Sequence, residues 1–445
     1  MLDYAKDLNP QQLAAVQAEP GPILVIAGAG SGKTRTLTYR VAWLIENGLP
    51  PDRLLLLTFT NKAAREMLDR AAALFPLDSG QIWGGTFHSF ANRILRRHAA
   101  ALGYQSSYAI LDREDSKDLL AACIPDAGVD VKARRFPKPE VLIEVFSLGA
   151  NTGRAVEEIV ARQFPWFEEV VPDMERIARL YAERKLRSNA MDYDDLLRNL
   201  LKLLETRPEV AELYQRQFLA ILVDEFQDTN RIQSDLVDRL AARHRNVMVV
   251  GDDAQSIYSW RGANFRNIME FPKRYPNARI FKIEQNYRST PQILTLANHA
   301  IAANTQQFHK NLQPTRASGP IPQLVPVFNA SEQAAFVAGH LLELRDQGVE
   351  MREMAILYRS HYHSMELQME LTRRNIPFAI TSGLRFFEQA HIKDLAAHLK
   401  LAVNPRDELA FKRLVRMLPK IGAATAAKLW AKLLAALDAA AGAPA

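Results

Sequence analysis

Two stretches of the sequence carry residues that could act on phosphate groups. Residues 27–34 (AGAGSGKT) follow a short aliphatic run and fit the P-loop pattern, with Ala27 where the strict pattern begins with glycine. Glycines in such a turn let backbone amides approach anionic oxygens, while Lys33 would reach the β- and γ-phosphates and the Thr34 hydroxyl would bind Mg²⁺. The alternative is a flexible glycine turn, but the strand before it, the helix after it and the GKT ending favour a phosphate site.

The second stretch is ILVDEFQD at residues 221–228, an aliphatic strand that ends in two acids. Ligands of parallel sheets lie beyond the carboxyl ends of the strands, so Asp224 would hold Mg²⁺ there. Glu225 would orient and deprotonate an attacking water. Many strands end in solvated carboxylates, and it is the P-loop upstream that favours the catalytic interpretation.

The elements around these stretches alternate between strand and helix. Strands are predicted at 23–27 and 54–57, and amphipathic helices at 33–47 and 61–74. This order predicts an α/β fold with a parallel, doubly wound sheet.

The pattern changes farther along the chain. From about residue 90 to 216 helical periodicity dominates, as at 192–204, and strands return at 219–223, 247–250 and 280–283. A helical insert therefore interrupts the α/β domain. A second α/β region is predicted from about residue 286, with strands at 323–327 and 354–358, followed by helices after residue 383.

The composition limits the classes of protein. Of 445 residues, 48% are hydrophobic and 24% charged, which is typical of a globular protein with two to four domains. The single cysteine, Cys123, excludes an internal disulfide and a two-cysteine zinc site. No signal core and no membrane-length apolar run is found, so we expect a cytoplasmic protein that does not enter a membrane. The net charge of +6 permits a polyanionic partner without requiring one.

An ordered series of motifs then resembles one family, the UvrD/PcrA/Rep group of superfamily 1 DNA helicases. The matching segments are LNPQQ (8–12), the P-loop, LTFTNKAAREM (57–67), GGTFHSF (84–90), MDYDDLL (191–197), VDEFQDTN (223–230), VVGDDAQSIYSWRGA (249–263), QNYRST (285–290), AILYRS (355–360) and RFFEQAHIKDL (385–395). One departure is Tyr193, where the family usually has Phe. Single segments are unspecific, but the ordered series covers nearly the whole chain.

The resemblance implies an architecture. Residues 1–90 and 215–282 would form the first RecA-like, ATP-binding domain (1A), and residues 91–214 the helical insert (1B). Residues 283–380 would form a partial second RecA-like domain (2A), and residues 381–445 the start of a helical 2B-like domain.

It also implies roles for individual residues. Gln12 would recognise adenine, Tyr287 would stack on it, and Arg40 would lie near the nucleotide. Gln255 would couple the γ-phosphate to the DNA groove, and Arg288 would be an arginine finger. The implied ATP-binding set is Gln12, Ala27, Gly28, Ala29, Gly30, Ser31, Gly32, Lys33, Thr34, Arg35, Arg40, Tyr287 and Arg288, and the implied catalytic set is Lys33, Asp224, Glu225, Gln255 and Arg288.

Single-stranded DNA would lie in a groove of aromatic and polar side chains. The implied contacts are Thr58, Phe59, Asn61, Thr86, His88, Tyr193, Tyr258, Trp260 and Arg261. Stacking on such rings contributes about 1–3 kcal/mol per base. Phe59 and Trp260 could instead be core residues, and His88 could be a structural histidine.

The implied function is an ATP- and Mg²⁺-dependent 3′→5′ helicase or translocase that acts on single strands and single-strand/duplex junctions in DNA repair or replication. We expect a monomer or weak dimer, with unidentified repair or replication proteins as further partners. Motifs V and VI of the family are not found, so this chain is expected to be truncated and weakly active alone. The alternatives are a non-motor fragment that binds nucleotide and DNA, the N-terminal part of a helicase–nuclease subunit and, more remotely, an unrelated P-loop transporter or signalling ATPase.

Overall fold

A six-stranded parallel sheet organises the first part of the chain. In the computed structural model the strands are β1 (Ile23–Ala27), β2 (Leu54–Thr58), β3 (Trp83–Thr86), β4 (Ala109–Leu111), β5 (Ala190–Asp192), β6 (Ala220–Val223), β7 (Val247–Gly251), β8 (Arg279–Ile283), β9 (Gln285–Asn286) and β10 (Gln313–Pro314). The large sheet has the order β3-β2-β6-β7-β1-β8, and every neighbouring pair is parallel. The predicted parallel α/β fold is confirmed.

Twenty α-helices accompany the strands in the residues that the structure describes, which are 2–74, 79–129, 135–259, 262–380, 390–419 and 421–441. They are α1 (Tyr4–Asp7), α2 (Pro10–Val16), α3 (Lys33–Glu46), α4 (Asn61–Leu74), α5 (Phe87–His98), α6 (Arg113–Asp126), α7 (Pro139–Thr152), α8 (Val156–Gln163), α9 (Val171–Arg187), α10 (Tyr193–Thr206), α11 (Pro208–Gln217), α12 (Arg231–Ala241), α13 (Arg266–Met269), α14 (Phe271–Arg274), α15 (Pro291–Ile301), α16 (Ala330–Asp346), α17 (Met365–Arg373), α18 (Ala390–Val403), α19 (Glu408–Arg416) and α20 (Ala423–Ala441). None of these is long and apolar enough to cross a membrane.

The sheet is buried on both faces, which explains its uninterrupted aliphatic strands. In β1, Leu24 and Ile26 join the core on one face, and Ile23 and Val25 join the core on the other. The first core includes side chains of α5, α10, α11 and α12, and the second includes side chains of α2, α3 and α4. Helices on both faces give the doubly wound arrangement.

Most of the predicted elements of this region are confirmed within one or two residues. Strands β1, β2, β6, β7 and β8 and helices α3, α4 and α10 lie where the sequence places them. Strand β3 was not predicted, because its sequence WGGT contains two glycines and little aliphatic signal.

The helical insert has a core of its own. Helices α6, α7, α8 and α9 enclose buried apolar side chains such as Leu120, Leu142 and Ile177. A short parallel ladder of β4 and β5 pairs Ala109 with Ala190 beside this core. Helices α10 and α11 instead pack on the core of the large sheet, so they tie the insert to it.

The chain divides into two compact units, Met1–Gly319 with Asp394–Ala445, and Pro320–Lys393. In the second unit α16 and α17 pack through a small core that contains Ala338, Leu371 and Ile376. The strands predicted at 323–327 and 354–358 are wrong, because neither segment is in a strand here. Leu324 and Leu357 are 95% and 94% exposed, so these apolar runs lie on no sheet. The boundaries assigned above to the four domains stay predictions.

A buried charge cluster at the end of α9 supplies a stability test. The Lys185 ammonium lies 2.5 Å from carboxylate oxygens of both Asp192 and Asp195, and its side chain is 6% exposed. Burial disfavours the ammonium, but the two carboxylates outweigh it and raise the pKa of Lys185. The cluster therefore depends on this one cation.

Replacing Lys185 by Ala should lower the free energy of unfolding by about 3–5 kcal/mol, because two buried carboxylates lose their counter-ion. The control is Arg216→Ala, which removes an exposed pair with Glu212 and should cost about 0–1 kcal/mol. Urea unfolding of both variants measures the difference. Equal losses would contradict the role assigned to Lys185.

Candidate functional site

The glycine turn between β1 and α3 has the backbone conformation of an anion cradle. Gly30 and Gly32 have φ angles of 75° and 85°, a region that favours glycine. Ser31 braces the turn by donating from its hydroxyl to the Gly28 carbonyl at 2.7 Å. Within the described residues no side chain caps the start of α3, so its first amides can serve an anionic oxygen.

A later segment of the chain lies directly on this turn. The Tyr287 amide donates to the Gly30 carbonyl at 2.9 Å, and the Asn286 side-chain amide donates to the Ala29 carbonyl at 2.5 Å. A Cβ at Gly30 would lie 2.4 Å from the Cβ of Arg288. Glycine is therefore required for close approach as well as for its φ angle.

Opposite charges meet where β6 ends. The Lys33 ammonium lies 2.8 Å from a Glu225 carboxylate oxygen, which also accepts from the Gln227 side-chain amide at 2.8 Å. Asp224 is buried, and burial together with the Glu225 charge raises its pKa to about 7, against the opposing effect of Lys33. A buried carboxyl of this kind is suited to a cation, which would replace its proton.

Lys33 and Glu225 line a cleft of about 810 Å³, whereas the predicted site residues Ala27, Ser31, Arg40 and Asp224 are not among the described residues that line it. The predicted residues that line it are Gln12, Gly28, Ala29, Gly30, Gly32, Lys33, Thr34, Arg35, Glu225, Gln255, Tyr287 and Arg288. Asp7, Arg70 and Arg316 line it as well and were not predicted. Arg316 belongs to a TRA string that fits no family motif in its context, and its guanidinium donates to the Arg288 carbonyl at 2.8 Å.

Asn9 connects Gln12 with Tyr287 through hydrogen bonds to both residues. Gln12 is 1% exposed, and its amide donates to the Ser31 carbonyl at 2.9 Å. Asn9 caps α2, and its side-chain amide donates to the Tyr287 hydroxyl at 2.9 Å. Tyr287 is 46% exposed, so its ring is accessible at the cleft. The adenine contacts assigned to both residues stay predictions.

Arg40 is not among the described residues that line the cleft. Its guanidinium donates to the Val16 carbonyl at 2.7 Å and also to the Ala18 carbonyl, and it lies over the Trp43 ring at 4.7 Å. Burial lowers the pKa of Arg40 to about 10, which still leaves it charged at pH 7. These contacts give Arg40 a packing role between α2 and β1, and the predicted contact with nucleotide stays a prediction.

Aromatic rings from four motifs form two pairs. Phe59 stacks on Tyr258 with ring centroids 5.2 Å apart and an interplanar angle of 27°. The rings of Tyr193 and His88 are nearly perpendicular, with centroids 5.8 Å apart, and Tyr193 is 54% exposed. The first pair joins the segment after β2 to the segment after β7, so Phe59 lies in an aromatic pair outside the apolar cores.

The polar residues predicted to contact DNA differ in accessibility. Thr58 is buried and donates to the Thr60 carbonyl, Asn61 is exposed at the start of α4, and Thr86 caps α5. Burial lowers the pKa of His88 to about 4, so its imidazole is neutral at pH 7. Trp260 and Arg261 lie outside the described residues, as do residues 385–389 of the 385–395 segment.

A polar chain connects the cleft to the turn after β7. The Gln255 side-chain amide donates to Asp252 at 2.7 Å, and the Asp252 amide donates to the Gln227 side chain at 3.0 Å. Gln227 in turn donates to Glu225. Gln227 and Asp252 were not assigned roles from the sequence, although both lie inside recognised motifs.

Comparison with known proteins decides the family. The family model described as UvrD/REP helicase N-terminal domain matches residues 8–276, and the one described as UvrD-like helicase C-terminal domain matches residues 281–437. The chain belongs to the UvrD/REP helicase family. Its aromatic pairs and most of the residues that line its cleft lie within the segments that resembled this family in sequence.

Curated relatives agree. The ATP-dependent DNA helicase PcrA of Bacillus subtilis (strain 168) is 40% identical over 417 residues, which are 93% of this chain and 56% of that protein. The PcrA proteins of Staphylococcus epidermidis (strain ATCC 35984) and Staphylococcus aureus (strain Mu50) are each 37% identical, over 94% and 93% of this chain and 56% of their own lengths. This UvrD/REP family chain therefore spans about half the length of the curated relatives that it matches.

The glycine turn of this family member can be tested by stability. Gly30→Ala should lower the free energy of unfolding by the cost of a left-handed alanine, about 1–2 kcal/mol, plus about 1–3 kcal/mol for the contact with Arg288. Gly48→Ala is the matched control, because Gly48 has φ 91° and open space around its Cβ.

Urea unfolding gives both free energies, and amide exchange at Tyr287 reports whether the segment on the turn has moved. If the two variants lose equal stability, the close packing of Arg288 on the turn is wrong.

Proposed function

We propose that this chain carries the ATP site and the single-strand contacts of an ATP-dependent DNA helicase that moves 3′→5′. The observation that carries the proposal is the single cleft that holds Lys33, Glu225 and Gln255 together with Arg288. A base, a cation and two γ-phosphate contacts in one cleft suit phosphoryl transfer to water, which depends on positioning and charge stabilisation.

Each residue has a role that its surroundings support. The glycine turn and Lys33 would hold the phosphates, and Glu225, already bonded to Lys33 and Gln227, would orient the attacking water. Arg288 is exposed at the cleft, where it would stabilise charge on the transferred phosphoryl group. Tyr287 offers an open ring to the adenine.

The oxygen donors fit a magnesium ion. Thr34 lines the cleft with a hydroxyl, and Asp224 offers a buried carboxyl beside Lys33 and Glu225. Hydroxyl and carboxylate oxygens are the ligands that Mg²⁺ takes together with nucleotide phosphates. When bound there, the ion would neutralise phosphate charge during hydrolysis.

The single-stranded DNA would pass the aromatic pairs. Tyr193 and the Phe59–Tyr258 stack offer π-faces that accept any base, which suits a motor that moves without regard to sequence. We further propose that the protein acts in the cytoplasm on single strands and on single-strand/duplex junctions, in DNA repair or replication, as a monomer or weak dimer.

Lys33→Ala should weaken binding of a fluorescent ATP analogue by about 10–100-fold, because a charge-assisted hydrogen bond to phosphate contributes about 1.5–3 kcal/mol. DNA-stimulated release of phosphate should fall with it. Lys202→Ala, on the exposed face of α10, is the control. Unchanged nucleotide affinity in Lys33→Ala would show that the turn does not bind phosphate.

Tyr193→Ala should weaken binding of oligo(dT) by about 1–3 kcal/mol if the ring stacks on a base. Trp166→Ala serves as the control, because Trp166 is a 55% exposed aromatic residue of the same insert. Fluorescence anisotropy at fixed salt measures both. Equal effects in the two variants, or none in either, would remove Tyr193 from the DNA path.

A further inference from the structure

A buried lysine outside the recognised motifs neutralises two acids of the turn after β7. Lys310 lies between α15 and β10, and its ammonium is 2.8 Å from both an Asp252 and an Asp253 carboxylate oxygen. The three side chains are only 4%, 3% and 1% exposed. Charges this deeply buried are retained only when they are paired.

Asp252 connects this lysine to the cleft. One Asp252 oxygen accepts from the Lys310 ammonium and from the Ala254 amide, and the other accepts from the Gln255 side chain at 2.7 Å. The Gln255 amide group is therefore held by a carboxylate whose own orientation depends on Lys310. Neutralising the lysine would leave Asp252 free to turn toward water.

The lysine also belongs to a segment that touches the glycine turn. The Phe308 amide donates to Asp253 at 3.1 Å. Two residues beyond Lys310, the Leu312 side chain packs so closely on the turn that a Cβ at Gly28 would lie 2.4 Å from it. One short segment thus contacts both the γ-phosphate side of the cleft and its phosphate-binding turn.

We propose that Lys310 is a positioning residue that aims the Gln255 side chain through Asp252, so that recognition of the γ-phosphate depends on the ion pair of Lys310 with Asp252. This inference rests on the proposed function, in which Gln255 contacts the γ-phosphate. Lys310 is not among the described residues that line the cleft, so it would act through Asp252 and Gln255.

A comparison of two nucleotides tests this without requiring turnover. The quantity measured is the preference of the full chain for ATPγS over ADP, obtained by displacement of a fluorescent ADP analogue. Lys310→Met keeps the volume and loses the charge, and should reduce the preference about tenfold, as expected for a lost charge-assisted hydrogen bond. ADP affinity should stay unchanged, and Lys310→Arg should restore much of the preference.

Two further variants make the result specific. Lys282→Met is the matched control, because Lys282 holds the same segment by donating to the His309 carbonyl at 2.7 Å, and we expect it to leave the preference unchanged. Gln255→Ala should reduce the preference as Lys310→Met does. Hydrogen exchange should rise at residues 252–256 in Lys310→Met but not in Lys282→Met.

The possible failures can be told apart. If Gln255→Ala lowers the preference and Lys310→Met does not, the inference about Lys310 is wrong and the proposed function stands. If Gln255→Ala has no effect, the γ-phosphate role of Gln255 is wrong, and the inference falls with it. Should Lys310→Met not fold, Asp252→Asn breaks the same pair, and an unchanged preference in that variant overturns the inference.

Discussion

Parallel pairing of β7 with both β1 and β6 is the constraint on which the rest of the structure depends. The register places Val250 of β7 beside Val25 of β1, and Val249 beside Val223 of β6. Because the three strands are parallel, their carboxyl ends reach the same edge of the sheet. Lys33, Glu225 and Gln255 follow those three ends, so residues far apart in sequence meet in one cleft.

Burial on both faces protects this register. A slip of one residue would exchange the two apolar faces of each strand, and both faces here meet filled cores. The cleft edge can therefore carry buried charges such as Asp224 and Asp252 without the sheet rearranging around them. The polar chain from Lys33 through Glu225, Gln227 and Asp252 to Gln255 lies along that fixed edge.

The sequence was sufficient for those parts of the fold that local patterns encode. Aliphatic runs predicted five strands of the sheet. The glycine turn was located from its own residues, and it lines the cleft. Strand β3 was missed because Gly84 and Gly85 carry no apolar signal. The strands expected at 323–327 and 354–358 failed for the opposite reason: the apolar signal is present, but a strand needs a pairing partner, and pairing is not a local property.

The missed site residues show the same limit. Lys310 lies in a polar segment with no motif, and its partners Asp252 and Asp253 are nearly sixty residues upstream, so no spacing rule connects them. Arg316 likewise reaches the cleft only because β10 pairs with β9. Arg40 shows the converse: a charged residue near a P-loop whose guanidinium is used to hold two backbone carbonyls.

The stacked pair of Phe59 and Tyr258 has a consequence for the energetics of strand capture. Each ring already restricts the rotation of the other, so little side-chain entropy would be lost if a DNA base stacked on the pair. A base that binds there would extend a stack that Phe59 and Tyr258 already form. Under the proposed function, the two rings would therefore not need to reorganise when a base binds or leaves.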